Sequence, residues 1–200
     1  MVEKEKVLSC VDCPLLTCNE DDGCYPEFCL TTRMSEEEKQ QLLDFYEQGD
    51  NRRLANAANE AKSKYGKDTR VEGILEFARQ LQAHKIGIAT CISLMDESRV
   101  MADILRRHGF EVYSVMCKVG SMAREQDIKR GKKMCNTIQQ ARYLNEMGTE
   151  LNIVIGLCIG HDSLFYRYSQ APVTTLVAKD WALAHNPIVA LRDEKIYRKL

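Results

Sequence analysis

Five cysteines fall within twenty residues near the start of the chain, in the spacing Cys10-x2-Cys13-x4-Cys18-x5-Cys24-x4-Cys29. A Cys-x2-Cys pair chelates because its two sulfurs reach one tetrahedral ion. The other three thiols return at loop-scale intervals, without the second Cys-x2-Cys or His pair of a zinc ribbon. Irregular spacing suits an iron–sulfur site, and Pro14 directly after Cys13 matches the Cys-Pro step of some ferredoxin runs. Simple burial is a poor account of these residues, because segment 1–33 is polar and has almost no core in which to bury them. The segment is expected to depend on a metal for its order.

The remaining four cysteines are dispersed, and their meaning depends on secondary structure. Cys91, Cys117 and Cys158 each close a short apolar run, and Cys135 opens a helical pattern. If those runs are parallel strands, their carboxyl ends share one edge of a sheet, where ligands of α/β proteins bind. A thiol at a helix N-terminus also has a lowered pKa. Each of these cysteines taken alone reads as a small core residue. Together they make a shared thiol site the sharper expectation.

Two further segments reach the same edge. Residues 156–163 (GLCIGHDS) run from a strand through a glycine turn into a helix. There Gly156 and Gly160 would let the backbone approach a ligand, the following amides would hold an anion, and His161 would serve as ligand, base or anion contact. The plainer alternative is a helix cap by Asp162 or Ser163 beside a solvated histidine. After the last strand, Lys179 would attract an anionic ligand and Asp180 would orient His161 or His185. A simple capped turn is the alternative.

These residues need elements to hold them. Ser35 and Glu38 form a capping box ahead of a stripe of Leu42, Leu43 and Tyr46. Stripes at 54–65 (Leu54, Ala57, Ala58, Ala61, Tyr65) and 71–81 (Val71, Ile74, Leu75, Ala78, Leu81) continue at helical spacing and read as packing surface. Thereafter strands at 85–91, 110–117, 152–158 and 173–178 alternate with helical patterns near 100–105 and 138–147. The polar stretch 118–133 reads as a loop. Near-continuous apolar strands separated by helices indicate a parallel sheet covered on both faces. The expected fold is therefore α/β: an open, Rossmann-like sheet of about four strands over 85–200, preceded by a helical segment at 34–84 and a metal-binding module at 1–33.

Composition excludes several classes. Formal net charge is −1 with no long basic stretch, so nucleic acid is not an expected partner. The beginning, MVEKEKVLSC, has no apolar signal segment, and no run approaches the ~20 apolar residues of a membrane span. Nine cysteines, an odd number, then point to reduced cytoplasmic thiols serving metal or redox chemistry.

The spaced N-terminal cysteines, together with ATC (89–91), CKVG (117–120), CNTIQQA (135–141), GLCIGHDSLF (156–165) and APVTTLVAKD…AHNP (171–187), resemble a prokaryotic family of unknown function. Its members are labelled as candidate metal-binding proteins. The resemblance covers nearly the whole chain and implies metal binding without supplying a substrate. The family's usual CNPI is Cys135-Asn136-Thr137-Ile138 here.

The leading expectation is a metal-binding protein with an iron–sulfur centre and a redox or electron-transfer role with a redox partner protein, the nine cysteines (10, 13, 18, 24, 29, 91, 117, 135 and 158) being the candidate ligands: the N-terminal five hold one centre with one thiol to spare, and Cys91, Cys117, Cys135 and Cys158 hold a second centre or form a reactive thiol pocket. One alternative is structural zinc at the N-terminal site with Gly156, Gly160, His161 and Lys179 binding a small anionic ligand. Another is a thiol-dependent enzyme with Cys158 or Cys135 as nucleophile and His161 as base.

Overall fold

The computed structural model describes residues 6–20, 23–62, 66–129 and 131–199. Tyr65, expected to complete a helical stripe, lies outside them. Internal contacts divide the chain into two units, Met1–Ala55 and Asn56–Leu200.

The first unit is loop-rich. A 3-10 turn spans Cys10–Asp12, followed by the short helix α1 (Leu30–Arg33), α2 (Glu36–Tyr46) and the start of α3 (Gly49–Lys62). Helix α2 begins at the expected capping box: the Ser35 hydroxyl accepts from the Glu38 amide, and the Glu38 carboxylate accepts from the Ser35 amide at 2.8 Å. Its apolar stripe was expected to pack, but Leu42, Leu43 and Tyr46 are 47, 58 and 61 % exposed. Cys29 is the only buried residue among the described residues of this unit.

The second unit contains α4 (Arg70–Gln80), β1 (Lys85–Thr90), α5 (Met95–Arg107), β2 (Glu111–Met116), α6 (Glu125–Ile128), α7 (Thr137–Glu146), β3 (Leu151–Ile155), α8 (His161–Tyr168) and β4 (Val173–Val177), then the short α9 (Ile188–Arg192) and α10 (Glu194–Tyr197). The four strands pair in parallel in the order β2-β1-β3-β4. The stretch 118–133, expected as loop, carries a 3-10 turn at Val119–Ser121 as well as α6, which a Glu125–Lys129 ion pair supports.

Burial follows topology. All five residues of β3 and five of the six in β1 are buried, whereas the edge strands β2 and β4 are mostly half-buried. Right-handed crossovers running in opposite directions, from β1 to β2 through α5 and from β2 to β3 through α7, put these helices on opposite faces of the sheet. Alternation along the strands then sorts the side chains. Thr90 faces α5, where the Ser98 hydroxyl donates to its Oγ1 at 2.6 Å. Ala89, Cys91, Val115 and Cys117 face α7 and share a core cluster with Ala141 and Leu144. Gln140 of α7, fully buried, donates through Nε2 to the carbonyls of Thr90 and Val115 at 3.1 and 2.7 Å. The Asn136 amide donates to the Cys117 carbonyl at 2.7 Å. Helix α7 is thereby tied to the ends of β1 and β2.

The strand edge closes around Gly156, which has φ +62°; a Cβ added there would stand 2.0 Å from Leu94 Cδ1. Gly156→Ala is expected to destabilise the protein by about 2–4 kcal/mol through combined backbone strain and overpacking. Gly109 also has a positive φ, but open space surrounds its would-be Cβ, so Gly109→Ala should cost about 1 kcal/mol. Urea unfolding compares them, and equal losses would contradict the close packing at Gly156.

Candidate thiol centre

In the first unit Cys10, Cys13, Cys18 and Cys29 line one small hollow of about 80 Å3 with Leu16, Pro26 and Phe28. Cys24 is exposed and does not line it. Its carbonyl accepts from the Thr17 hydroxyl at 2.8 Å, tying residue 24 back to residue 17. The Thr31 hydroxyl and amide hold the Cys29 thiol below its ordinary pKa, against the opposing effect of burial. Among the described residues, no three His, Cys, Asp or Glu side chains are drawn close enough together to hold a metal ion.

The second unit gathers the other four thiols at the carboxyl ends of the strands. Cys91 follows β1, Cys117 follows β2, and Cys158 lies just beyond β3. Cys135 precedes α7. The strand order reverses between β1 and β3, and a doubly wound sheet binds its ligand at such a switch point. Cys91 and Cys158 flank it.

Electrostatics separate the four. Burial would raise the pKa of Cys91, which is only 5 % exposed. That effect is overcome by the Lys179 ammonium, whose Nζ lies 2.8 Å from Cys91 Sγ, and by the Ser93 hydroxyl, 3.1 Å away. The Cys91 thiol is lowered to about 7. Burial likewise opposes the charge on Lys179, but the thiols of Cys91 and Cys158 raise its pKa, so it stays protonated throughout the neutral range. Lys179 also lies over the Trp181 ring, 5.3 Å from its centroid. Cys117 behaves in the opposite way. Burial pushes its thiol up to about 12, the Ile92 amide at 3.5 Å opposes this only weakly, and the neighbouring Cys135 and Cys91 add to it. Cys117 is thus a neutral core thiol, as its place in the apolar cluster suggests. Cys135 accepts from Lys118 Nζ at 3.5 Å.

The residues expected to bind an anion or act as a base divide differently. Gly160 caps α8 with φ +79°, but the first amides of that helix are occupied. Those of His161 and Asp162 donate to the Cys158 carbonyl at 2.9 and 3.2 Å, and that of Ser163 donates to the Asp162 carboxylate at 2.8 Å. The turn therefore has no open amide cradle at these three positions. Asp180 caps its own turn, accepting from the amides of Ala182 and Leu183 at 3.0 and 3.1 Å, while its amide donates to His185 Nδ1 at 3.0 Å. His161 lies on the wall of a cavity that Cys135 also lines.

Sequence reasoning missed Ser93 and the pairing of Lys179 with Cys91, which joins residues 88 positions apart. The apolar run ending in Cys91 marked the thiol, but nothing local marked its partner.

Replacing Lys179 with Met should leave burial opposed by Ser93 alone and move the Cys91 pKa from about 7 back up toward its ordinary 9.0 or beyond. Ultraviolet titration of thiolate absorbance is expected to show one step near neutrality in the parent protein and none in Lys179→Met. Persistence of the step would show that Lys179 is not the counter-ion.

Comparison with known proteins places this geometry in context. A family model described as a protein of unknown function, DUF1847, matches residues 29–176. The match contains Cys29 and the four strand-edge thiols, whereas Cys10, Cys13, Cys18 and Cys24 precede it. The chain is also 42 % identical, over 185 residues, to uncharacterized protein MJ0455 of Methanocaldococcus jannaschii, an alignment covering 88 % of this chain and 95 % of the relative. Among the described residues no helix is long and apolar enough to cross a membrane. This parallel α/β protein, with three thiols following its strands and a fourth preceding α7, belongs to the DUF1847 family of unknown function.

Proposed function

We propose that the protein is a thiol-dependent redox protein in which Cys91 is the reactive thiolate, Lys179 its counter-ion and Cys158 the second thiol. The observation that carries this reading is the 2.8 Å contact between Lys179 Nζ and Cys91 Sγ at the switch point of the sheet. A buried thiol with a pKa near ambient pH combines a large thiolate fraction with retained nucleophilicity. In the proposed reaction, Cys91 sulfur attacks one sulfur of a substrate disulfide and the substrate S–S bond breaks. One substrate thiolate leaves and a mixed disulfide remains. Cys158, deprotonated, then attacks Cys91 sulfur and expels the second substrate thiolate. Two protein thiols are oxidised to one disulfide, and one substrate disulfide is reduced to two thiols. The ammonium argues against a metal among these four sulfurs, since it already neutralises the thiolate and would repel a cation. On this reading Cys91 and Cys158 serve thiol chemistry in place of metal ligation.

For the first unit the same reading assigns an iron–sulfur centre to Cys10, Cys13, Cys18 and Cys29, with Cys24 the spare. Four soft thiolates around an apolar hollow suit iron–sulfur or zinc by donor type. The hollow is about 80 Å3, several times the ~10–15 Å3 that admits one water. A cluster of several irons keeps its cysteine sulfurs farther apart than a single ion does, which favours the cluster. When bound, it would supply one-electron transfer and hold the loops together.

Two measurements test this reading. Mild oxidation with a small disulfide, followed by non-reducing peptide mapping, should yield a Cys91–Cys158 cross-link that Cys91→Ser abolishes. Oxidation that bypasses Cys91 would refute the thiol assignment. Protein purified without oxygen should carry iron and acid-labile sulfide, retained in Cys24→Ser and lost in Cys13→Ser. Zinc without iron would refute the cluster.

A further inference from the structure

A cavity of about 420 Å3 opens beside the thiol edge, between the 118–138 segment and the start of α8. We propose that it binds a small phosphorylated molecule, with the phosphate held by Lys118, Lys132, Lys133 and Thr137 against the N-terminus of α7. This extends the proposed thiol reading by giving its substrate an anionic handle. The binding step needs only the cavity, however, so the two readings fail separately.

The charge is one-sided. Lys118, Arg124, Lys132, Lys133 and His161 line the cavity, and none of its described lining residues is acidic. Of the described carboxylates in these segments, Asp162 accepts from the Ser163 amide and Glu125 pairs with Lys129 at 3.1 Å. The Lys118 ammonium is held in place by the Lys133 carbonyl at 2.5 Å and Cys135 Sγ at 3.5 Å. An ammonium has three donors, so one remains for a ligand.

A second, independent feature points to the same ligand. Thr137, the first residue of α7, lines the cavity and is 2 % exposed, yet its hydroxyl has no hydrogen-bond partner among the described residues. A buried hydroxyl left without a partner is costly, and an anion in the cavity would supply the acceptor. The first-turn amides of Thr137 and Ile138 have no acceptor within the helix, and α7 directs the positive end of its dipole here. Separated donors of this number suit a tetrahedral dianion better than a carboxylate, which has two oxygens and one charge. The volume exceeds that of a bare phosphate and falls within the range of small-molecule pockets.

Calorimetry of the full chain with inorganic phosphate tests the site. One saturable site is expected, with acetate at matched ionic strength giving none. Lys132→Glu with Lys133→Glu should weaken phosphate by at least about tenfold, the scale of losing charge-assisted contacts. Thr137→Val should weaken it severalfold while leaving the phosphate-free unfolding midpoint unchanged or raised, since no internal hydrogen bond is lost. Cys91→Ser should retain phosphate binding while losing thiol reactivity. Absence of saturable binding, an equal response to acetate, indifference to the double lysine variant, or a Thr137→Val protein destabilised without phosphate would each overturn the proposal.

Discussion

Four strands paired in parallel must all end on the same edge of their sheet, and every feature of the thiol centre follows from that constraint. Cys91, Cys117 and Cys158 are far apart in sequence, yet each sits at or just past a strand's carboxyl end. The order β2-β1-β3-β4 adds the second constraint. The order in which strands are added reverses between β1 and β3, so their following loops part and leave a crevice. Alternation then turns Cys91 and Cys117 toward α7. The hydrogen bonds from Gln140 and Asn136 fix that helix to the strand ends, bringing Cys135 and the basic cavity to the same place.

Within this frame one ion pair distinguishes otherwise similar thiols. Cys91 and Cys117 are about equally buried, at 5 and 3 % exposure, and burial raises both. The Lys179 ammonium at 2.8 Å, helped by the Ser93 hydroxyl at 3.1 Å, reverses the outcome for Cys91, whereas Cys117 has only an amide at 3.5 Å. The resulting values, about 7 and about 12, put one thiol in the reactive range and leave the other inert at neutral pH. The low dielectric that makes an unpaired thiolate costly also strengthens its attraction to Lys179.

Much of this was legible in the sequence. The strands appear where apolar runs predict them, because β1 and β3 are buried on both faces and carry no polar alternation to obscure them. The capping box at Ser35 is a local signal and forms as read. The stripe of α2 misled, because Leu42, Leu43 and Tyr46 have helical periodicity without burial. Lys179 was recognisable as a cation at the ligand edge, but its partner depends on the β4–β3–β1 pairing and has no local signature. The basic cavity was hidden for the same reason: 118–133 reads as a polar loop until the fold brings it beside His161 and the start of α7. Spacing alone does not separate Cys24 from the other four N-terminal cysteines, which line one hollow while Cys24 lies outside it.

The central claim is that the fold makes Cys91 the reactive thiol of the strand edge. Competitive alkylation of the full chain by a small neutral iodo-compound tests it most directly, with rates at Cys91, Cys117, Cys135 and Cys158 resolved by peptide mass spectrometry across pH. The account predicts that Cys91 reacts fastest at neutrality, with a rate that rises through a midpoint near 7, while Cys117 stays essentially unmodified. A Cys91 rate no greater than that of Cys117 at neutral pH, or one still climbing through pH 9, would contradict it.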